Sequence, residues 1–471
     1  MKKFWKPEYL VSLAGCGLII YLLFVGPFIG VADNGDFLRM MNTIGLNYYD
    51  TAASYTDQFF NYSHSRFAYE NLFRGFYPSS QILIVLVPRL IGGLIHGSFF
   101  DVRLLGAVYG LLLLVATWLL VKYNARGSYV TGLLLGAALL FVFYDIGYLA
   151  YFNSLFGEPV SMVFMLLTFA LGLRLTSQEK PTTKGLTIFF IAILFLVTSK
   201  IQNAPIGIAF ALIFLRFMTL DGERKWRKLA LRFSIAIFLV SIVMYVTAPK
   251  ELKHINLYQT VFFGILNESP DVKGDLQDLG LPERLEVLAG TNYFQTDTVI
   301  KQDDPSLVPD FYDRVSHKDV LFFYLKHPGR LIDNMEYAAS NSMAIRPYYL
   351  GNYEKSENKS AGALSYTYSG WSEFKNKHIP HTLGFLTIFY LVYFAGALFQ
   401  YFRSRDVRGR VSGELLMLLG LIGIFSFLVP ILGDGRADIG KHLFLFNVCF
   451  DMMVVVMFGW IVHKIVGFVR R

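Results

Sequence analysis

Ala32-Asp33-Asn34-Gly35-Asp36-Phe37-Leu38-Arg39 directly follows the first long apolar run of the chain, which extends from Tyr9 to about Ala32. This run is long enough to cross a bilayer, which takes about 20 residues, and it lacks the small-residue cleavage site of a signal peptide. Carboxylates at a membrane boundary are costly unless water, a cation or a reaction stabilises them. The stretch is therefore either a hydrated loop with an Asp cap for the next helix or a contributor to chemistry at the membrane surface.

The composition indicates an integral membrane protein. Of the 471 residues, 54% are hydrophobic and 17% are charged, against about 25% charged residues in soluble domains. The net charge of +8 does not indicate nucleic-acid binding, because most basic residues lie in short loops between apolar runs, as the positive-inside rule requires. Cys16 and Cys449 lie in apolar runs and give neither a disulfide framework nor a metal-ligand spacing.

About eleven apolar runs are predicted to span the membrane, at residues 9–32, 80–97, 104–121, 129–143, 159–175, 185–199, 206–220, 232–248, 381–402, 412–432 and 444–463. The lysines of Met1–Lys6 predict a cytoplasmic N-terminus, which puts Asp33 and Asp36 outside. An outside loop after residue 248 then needs an odd number of crossings, yet eight runs precede it. Either the 80–97 run fails to cross, or a helix is broken around Phe141–Phe156.

Three regions are predicted: an N-terminal transmembrane module (1–248), an extracytoplasmic loop domain (249–380) and C-terminal transmembrane helices (381–471). The basic segments at 122–126, 403–410 and 470–471 are then cytoplasmic. In the first outer loop, residues 33–79, helical spacing predicts two helices along the membrane surface, at Asp36–Thr43 and Ser65–Phe73. The predicted fold is an all-α bundle with a long outer loop domain that contains helices near Val320–Leu325 and Leu331–Ala339.

The predicted topology gathers acids and bases from separate span ends on one face, namely Asp33, Asp36, Glu158, Lys200, Arg346, Arg436, Lys441 and His442. Transfer of a sugar from a lipid phosphate would use such a set. An Arg or Lys would neutralise the leaving phosphate, and a carboxylate would accept the proton of the acceptor hydroxyl. The face therefore predicts a site between lipid and water.

The arrangement resembles the GT-C class of membrane glycosyltransferases over almost the whole chain. Asp33-Asn34-Gly35-Asp36-Phe37, Phe152-Asn153-Ser154-Leu155-Phe156-Gly157-Glu158-Pro159, Ser199-Lys200-Ile201-Gln202-Asn203 and Gly433-Asp434-Gly435-Arg436 with Lys441-His442-Leu443-Phe444 look like bacterial hexose transferases of surface-layer and cell-wall glycan synthesis. The resemblance implies a polyprenyl-phosphate sugar donor and frequent inversion of the anomeric centre. It also implies that only some members need a divalent metal.

Three carboxylates are catalytic candidates. Asp36 is the predicted general base, although an acid there also suits the first turn of a helix. Asp33 is the second candidate for that role, with helix capping as the alternative. Glu158 precedes Pro159 at a predicted helix start, where a helix-start charge is the plain alternative to orienting the acceptor or holding a metal. If the three acids converge, they could share Mg²⁺ or Mn²⁺; a zinc site is not expected without a His/Cys cluster.

The candidates for binding the donor phosphate or sugar are Lys200, Arg346, Arg436, Lys441 and His442. Their alternatives are snorkelling for Lys200, surface ion pairing for the arginines and an ordinary structural role for His442. Asp451 inside the last span is a functional candidate by its position, or a partner for a neighbouring helix.

The function predicted from the sequence is transfer of a hexose from a polyprenyl-phosphate donor to an extracytoplasmic glycan, lipid or wall polymer at the cell membrane. No nucleotide-binding motif or large cytoplasmic domain points to a nucleotide-sugar donor. A ligase or polymerase of lipid-diphosphate glycans is a second enzymatic interpretation. A transporter or flippase of lipid-linked sugars is the alternative from another class, although no internal repeat supports it.

Overall fold

The structure is a computed structural model that describes residues 6–125 and 128–469. Lys2, Lys3, Arg126, Arg470 and Arg471, on which part of the predicted orientation rests, lie outside the described residues. The orientation in the membrane therefore stays a prediction.

The described chain is mostly helical. In order, its helices are α1 (Pro7–Phe24), α2 (Phe37–Ile44), α3 (Tyr55–Gln58), α4 (Gln81–Ile95), α5 (Arg103–Asn124), α6 (Tyr129–Phe143), α7 (Ile146–Leu149), α8 (Glu158–Ser177), α9 (Thr183–Val197), α10 (Ile206–Phe217), α11 (Arg224–Val246), α12 (Lys250–Tyr258), α13 (Val272–Asp278), α14 (His317–Lys326), α15 (Pro328–Ser340), α16 (Gly370–His378), α17 (Leu383–Arg403), α18 (Val407–Asp434), α19 (Ile439–His442) and α20 (Phe444–Val469). Short 3-10 helices cover Ala150–Asn153, Ile201–Asn203, Glu283–Leu288 and Lys355–Glu357, and π-helices cover Gln259–Ile265 and Val308–Tyr312.

Every predicted apolar run contains a helix, although the first run is helical only to Phe24. Fewer helices than expected are long enough to cross a membrane. In the described residues, seven helices meet the criteria of length and composition, namely α1, α5, α8, α11, α17, α18 and α20. An eighth span results if α6 and Ile146–Asn153, which meet at an angle of 53°, count as one. The prediction of about eleven spans is corrected to seven or eight.

Fewer helices span than predicted because three of them are too short. α4, α9 and α10 have only 15, 15 and 12 residues, whereas a span takes about 20 residues at a rise of about 1.5 Å each. Pro88 lies inside α4, and the bend after α6 lies within the predicted Phe141–Phe156 break. The 80–97 run and the segment around Phe141–Phe156, which were predicted to explain the number of crossings, are therefore both irregular.

The first loop contains a small sheet that the sequence did not predict. α2 confirms the expected helix at Asp36–Thr43, but the helix expected at Ser65–Phe73 is wrong. There, β2 (Arg66–Tyr69) pairs antiparallel with β1 (Leu46–Tyr48) and with β3 (Phe100–Asp101). Arg66 is exposed and Phe67 is fully buried, which is the alternation of a strand with one buried face. The fold is therefore not strictly all-α.

The region predicted as an outer loop domain contributes to two cores. Residues between Leu257 and Tyr324 pack into a cluster of their own around side chains such as Phe262 and Phe311. Met343 and Trp371, further along the region, pack instead into the main core. The expected helical stretches near 320–325 and 331–339 are confirmed within α14 and α15, while the predicted boundaries at 248 and 380 stay predictions.

A buried ion pair attaches α16 to the spanning helices. The Lys375 ammonium lies 2.6 Å from an Asp451 carboxylate oxygen, and both side chains are fully inaccessible. The other Asp451 oxygen accepts hydrogen bonds from the Tyr148 hydroxyl at 2.6 Å and the Trp371 indole at 2.9 Å. Asp451 therefore joins α7, α16 and α20, and bonding to neighbouring elements accounts for its position inside α20.

We expect Lys375→Met to destabilise the fold by roughly 3–5 kcal/mol, because it leaves the Asp451 carboxylate buried without a counter-charge. The double variant Lys375→Met/Asp451→Asn should lose less stability than Lys375→Met, since it removes both charges and keeps an acceptor for Tyr148 and Trp371. Thermal unfolding of the purified protein in one detergent measures both.

Lys377→Met is the matched control on the same helix. Lys377 is 63% exposed and pairs with Glu373 at 2.9 Å, so its removal should cost less than about 1 kcal/mol. Equal losses for Lys375→Met and Lys377→Met would contradict the anchoring role of the buried pair.

Candidate functional site

Asp33 shapes the turn that begins α2. One carboxylate oxygen of Asp33 accepts hydrogen bonds from the backbone N–H groups of Gly35 at 2.8 Å and Phe37 at 3.1 Å. The Tyr48 hydroxyl donates to the other oxygen. Gly35 has a φ of +102°, a conformation that glycine adopts without strain. Burial raises the pKa of Asp33 above its usual value, and all these contacts serve the local fold.

Asp36, three residues later, is held by two cations. Lys441 from α19 forms an ion pair with one carboxylate oxygen, and Arg39 lies 3.1 Å from the other. Burial alone would raise the pKa of Asp36, but the charges of Lys441 and Arg39 hold that pKa far below its usual value. Burial likewise opposes the charge on Lys441, yet Asp36 and Asp438 raise the pKa of Lys441 above its usual value. Asp36 is therefore an ionised carboxylate.

Asp438 connects this pair to the late part of the chain. Its carboxylate accepts a hydrogen bond from the Asn34 side-chain amide at 3.1 Å and lies 3.7 Å from the Lys441 ammonium. The Tyr349 hydroxyl donates to its other oxygen. Lys441 also contacts the Asn34 side-chain oxygen at 3.2 Å. The first loop, the segment after α15 and α19 thus meet in one polar cluster, although about 400 residues separate the ends.

Glu158 and Lys200 form a second pair beside Asp36. The Lys200 ammonium lies 2.6 Å from one Glu158 oxygen, and the Glu158 side chain is 1% exposed. The other Glu158 oxygen is buried without a hydrogen-bond partner among the described residues. An open cavity of about 350 Å³ is lined by Glu158, Lys200, Asp36, Arg39 and Tyr77, among others. Two ion pairs and a phenol thus face one space at the ends of the helices.

Arg346 lies apart from this cavity. Its guanidinium donates to the side chain of Asn352 at 3.1 Å and to the Ser365 carbonyl, and it lies 5.1 Å from the centre of the Tyr366 ring. Arg346 is 2% exposed, and its guanidinium also lies 3.6 Å from a Glu373 carboxylate oxygen. Arg346 therefore organises the segment after α15 and does not line the 350 Å³ cavity.

Arg436 and His442 are occupied by other contacts. Arg436 donates to the Asn334 side chain at 2.9 Å and pairs with Glu268 at 2.6 Å. His442 lies 2.8 Å from an Asp434 oxygen and borders the cluster through its neighbour Lys441. Of the predicted phosphate contacts, Lys200 and Lys441 thus lie beside Asp36 and Glu158, while Arg436 contacts the outer region.

Asp33, Asp36 and Glu158 do not form a common ligand set. Across residues 6–125 and 128–469, no group of three or more His, Cys, Asp or Glu side chains is arranged to hold a metal ion. Asp33 turns toward Tyr48 and the backbone, while Asp36 and Glu158 each face an ammonium group. This geometry does not support the shared Mg²⁺ or Mn²⁺ site that the sequence left open.

Five further residues contribute to the cluster or cavity although the sequence assigned them no role there, namely Asn34, Arg39, Tyr77, Tyr349 and Asp438. Asn34 and Arg39 lie within residues 32–39, close to Asp36 in the sequence, and this closeness alone indicates that they can contribute to the same site. Asp438 precedes Lys441 by three residues, which suits a pair on one helical turn. No sequence pattern connects Tyr77 or Tyr349 with Asp36.

We expect Tyr48→Phe to destabilise the protein by roughly 1–3 kcal/mol, because it removes a donor from a buried carboxyl group. Tyr49→Phe is the control, since the neighbouring Tyr49 is 51% exposed and should tolerate the change. The two melting temperatures, measured in the same detergent, check the role of Asp33 in the turn. If Tyr48→Phe has the same melting temperature as the wild type, the hydrogen bond from Tyr48 to Asp33 does not stabilise the fold.

Comparison with known proteins gives one family. No curated protein has significant sequence similarity to this chain. The family model described as the YfdI N-terminal transmembrane domain matches residues 1–471. The chain is a polytopic membrane protein that belongs to the YfdI N-terminal transmembrane domain family.

Proposed function

We propose that this protein is a GT-C-type membrane glycosyltransferase that moves a hexose from a polyprenyl phosphate to an extracytoplasmic glycan, lipid or wall polymer. The observation that carries the proposal is Asp36, an ionised carboxylate between two cations at the edge of a 350 Å³ cavity. A site that accepts a proton and neutralises a phosphate needs these groups side by side.

In the proposed step, a hydroxyl oxygen of the acceptor attacks the anomeric carbon of the donor hexose. Its proton passes to the Asp36 carboxylate, the bond between the anomeric carbon and the phosphate oxygen breaks, and polyprenyl phosphate leaves with the bonding electrons. Attack from the face opposite the phosphate inverts the anomeric centre. The product is the glycosylated acceptor, and the proton on Asp36 returns to water.

The cations give Asp36 a way to become a better base when the donor binds. Lys441, Arg39 and Lys200 are donors that suit a phosphate. A phosphate that takes over part of the Lys441 and Arg39 contacts weakens their attraction for Asp36. The proton affinity of Asp36 then rises, because burial by itself raises its pKa. Donor binding would thus prepare the base for the acceptor.

Glu158 is proposed to orient a sugar. One oxygen is satisfied by Lys200, while the other is buried without a partner among the described residues. An unpaired buried carboxylate oxygen is costly, and a hydroxyl group of the donor hexose or acceptor would satisfy it. This contact would fix the position of the sugar relative to Asp36, so Glu158 would affect both binding and rate.

Asp36 is a better candidate for the base than Asp33. Asp33 is fully buried, and both of its oxygens already accept hydrogen bonds from the turn and from Tyr48. Asp36 lines the cavity, so an acceptor hydroxyl can approach it. In this proposal Asp33 is a positioning residue that holds the turn in which Asp36 lies.

We expect Asp36→Asn to lower hexose transfer by about 10²–10⁴-fold, the contribution of a positioned general base, while the variant still binds the lipid donor. Purified protein in vesicles is supplied with a radiolabelled polyprenyl-phosphate hexose, and product formation and donor retention are measured separately. Asp50→Asn, at an exposed position of the same loop, should transfer at the wild-type rate.

The same vesicles distinguish the rival functions. A flippase would move the labelled lipid between leaflets without chemical change. A ligase or polymerase would instead require a lipid-diphosphate glycan as donor. Transfer by Asp36→Asn at the wild-type rate would show that Asp36 is not the base.

We expect Lys441→Gln to shift the acid limb of the pH–rate profile upward. In the wild type the pKa of Asp36 lies far below its usual value, so Asp36 stays ionised down to well below about pH 4. Without the Lys441 charge, burial raises that pKa, and transfer should fall already as the pH drops toward about 5. Rates normalised to pH 8 are compared with those of Lys355→Gln, an exposed lysine outside the cluster. Identical profiles would contradict the coupling of Lys441 to the base.

A further inference from the structure

A second and larger cavity lies at the end of the bundle opposite Asp36. Its volume is about 940 Å³, and its walls come from α5, α6, α8, α17, α18 and α20. Along α8, Glu158 at the first residue belongs to the Asp36 site, whereas Leu166, Phe169 and Leu173 line the second cavity. The two cavities therefore lie toward different ends of the same helices.

The lining of this cavity is graded along its depth. The part near the middle of the helices is apolar, with side chains such as Leu166, Phe169 and Met452. Toward the helix ends the lining contains neutral hydrogen-bonding side chains, including Asn124, Gln400 and Ser412. Among the described residues, those that line this cavity include no Asp, Glu, Lys or Arg. An apolar interior with a polar mouth suits an amphiphile.

The depth of the cavity matches one leaflet of a bilayer. Met452 and His463 both line it, and their eleven-residue separation along α20 corresponds to roughly 16 Å at a rise of about 1.5 Å per residue. Half of a hydrocarbon core of about 30 Å is similar. An acyl chain of a membrane lipid fits this depth, whereas a polyprenyl chain is several times longer.

One cation lies beside the lining. Arg174 directly follows the lining residue Leu173 on α8, and its guanidinium lies 5.5 Å from the centre of the Tyr123 ring. Arg174 has no carboxylate partner among the described residues, and its Nε is buried without a hydrogen-bond acceptor there. Lys122 on α5 is exposed, and its ammonium lies 4.1 Å from the centre of the Trp118 ring, on the side of α5 away from Asn124. A phosphate group would complement the Arg174 guanidinium.

We propose that this cavity binds one anionic glycerophospholipid, with an acyl chain in the apolar part and the phosphate at Arg174. The surroundings at this depth are lipid, and an empty apolar cavity forfeits dispersion contacts that a hydrocarbon chain restores. The Arg174 cation favours an anionic headgroup over a zwitterionic one. This lipid site is independent of the proposed transferase activity, because it shares no residue with the Asp36 cluster.

Gly459 allows the cavity to be filled directly. It lines the cavity, and a Cβ atom added to it meets nothing within 4 Å, so Gly459→Phe places a ring in open space. Gly467 lies on the same helix, is equally open and does not line the cavity. Gly467→Phe is therefore the matched control.

The test is lipid retention by the full chain, purified from vesicles of phosphatidylglycerol and phosphatidylcholine and measured by native mass spectrometry. We expect wild type and Gly467→Phe to retain one phosphatidylglycerol, and Gly459→Phe to lose at least about tenfold in occupancy. Added phosphatidylglycerol should also raise the melting temperature of wild type more than that of Gly459→Phe. Equal retention by the two phenylalanine variants would overturn the site.

Arg174 provides a second arm of the test that leaves the cavity intact. Arg174→Gln should weaken retention of phosphatidylglycerol by roughly fivefold without affecting phosphatidylcholine, whereas Lys122→Gln, at an exposed position, is the control. Unchanged selectivity in Arg174→Gln would overturn the headgroup assignment. Polyprenyl phosphate is the competitor, and displacement of phosphatidylglycerol by an equal or smaller amount of it would overturn the choice of occupant.

Discussion

The central constraint on this structure is that a buried ionisable group must be compensated, by an opposite charge in contact with it or, as at Asp33, by several hydrogen bonds. Desolvation of an isolated ion costs several kcal/mol or more, depending on its surroundings. Lys375 with Asp451, Lys200 with Glu158 and Lys441 with Asp36 meet this requirement. Each pair joins elements that are distant in sequence, so the requirement for neutralisation also determines which helix ends come together.

The three pairs differ in what else their atoms do. The oxygens of Asp451 accept bonds from Lys375, Tyr148 and Trp371, and the pair is inaccessible. Glu158 keeps one oxygen without a partner among the described residues, and Asp36 faces an open cavity. A satisfied buried network stabilises one arrangement, whereas a partly satisfied network beside a cavity has capacity to bind a ligand. This difference separates the structural pair from the two candidate site pairs.

The bundle also has two chemically different ends. At the Asp36 end, short elements replace long helices: a small sheet, the bend after α6 and the four-residue helix α19. Irregular backbone at such places is tolerated where it lines a cavity or is buried by protein. At the other end, long helices enclose an apolar cavity of 940 Å³. The polar chemistry and the hydrocarbon-like space are thus kept apart by the length of the helices.

The sequence by itself determined the membrane class, the positions of the apolar helices and the acidic stretch at 33–39, because these depend on local composition and spacing. It also singled out Asp36, Glu158, Lys200 and Lys441. Tertiary structure decided which runs are long enough to span, and it replaced the helix expected near Phe67 with a strand, because pairing with β1 and β3 outweighs local helical spacing. It also decided that Asp33 supports a turn while Asp36 meets Lys441, since contacts across about 400 residues leave no periodic signal in the chain.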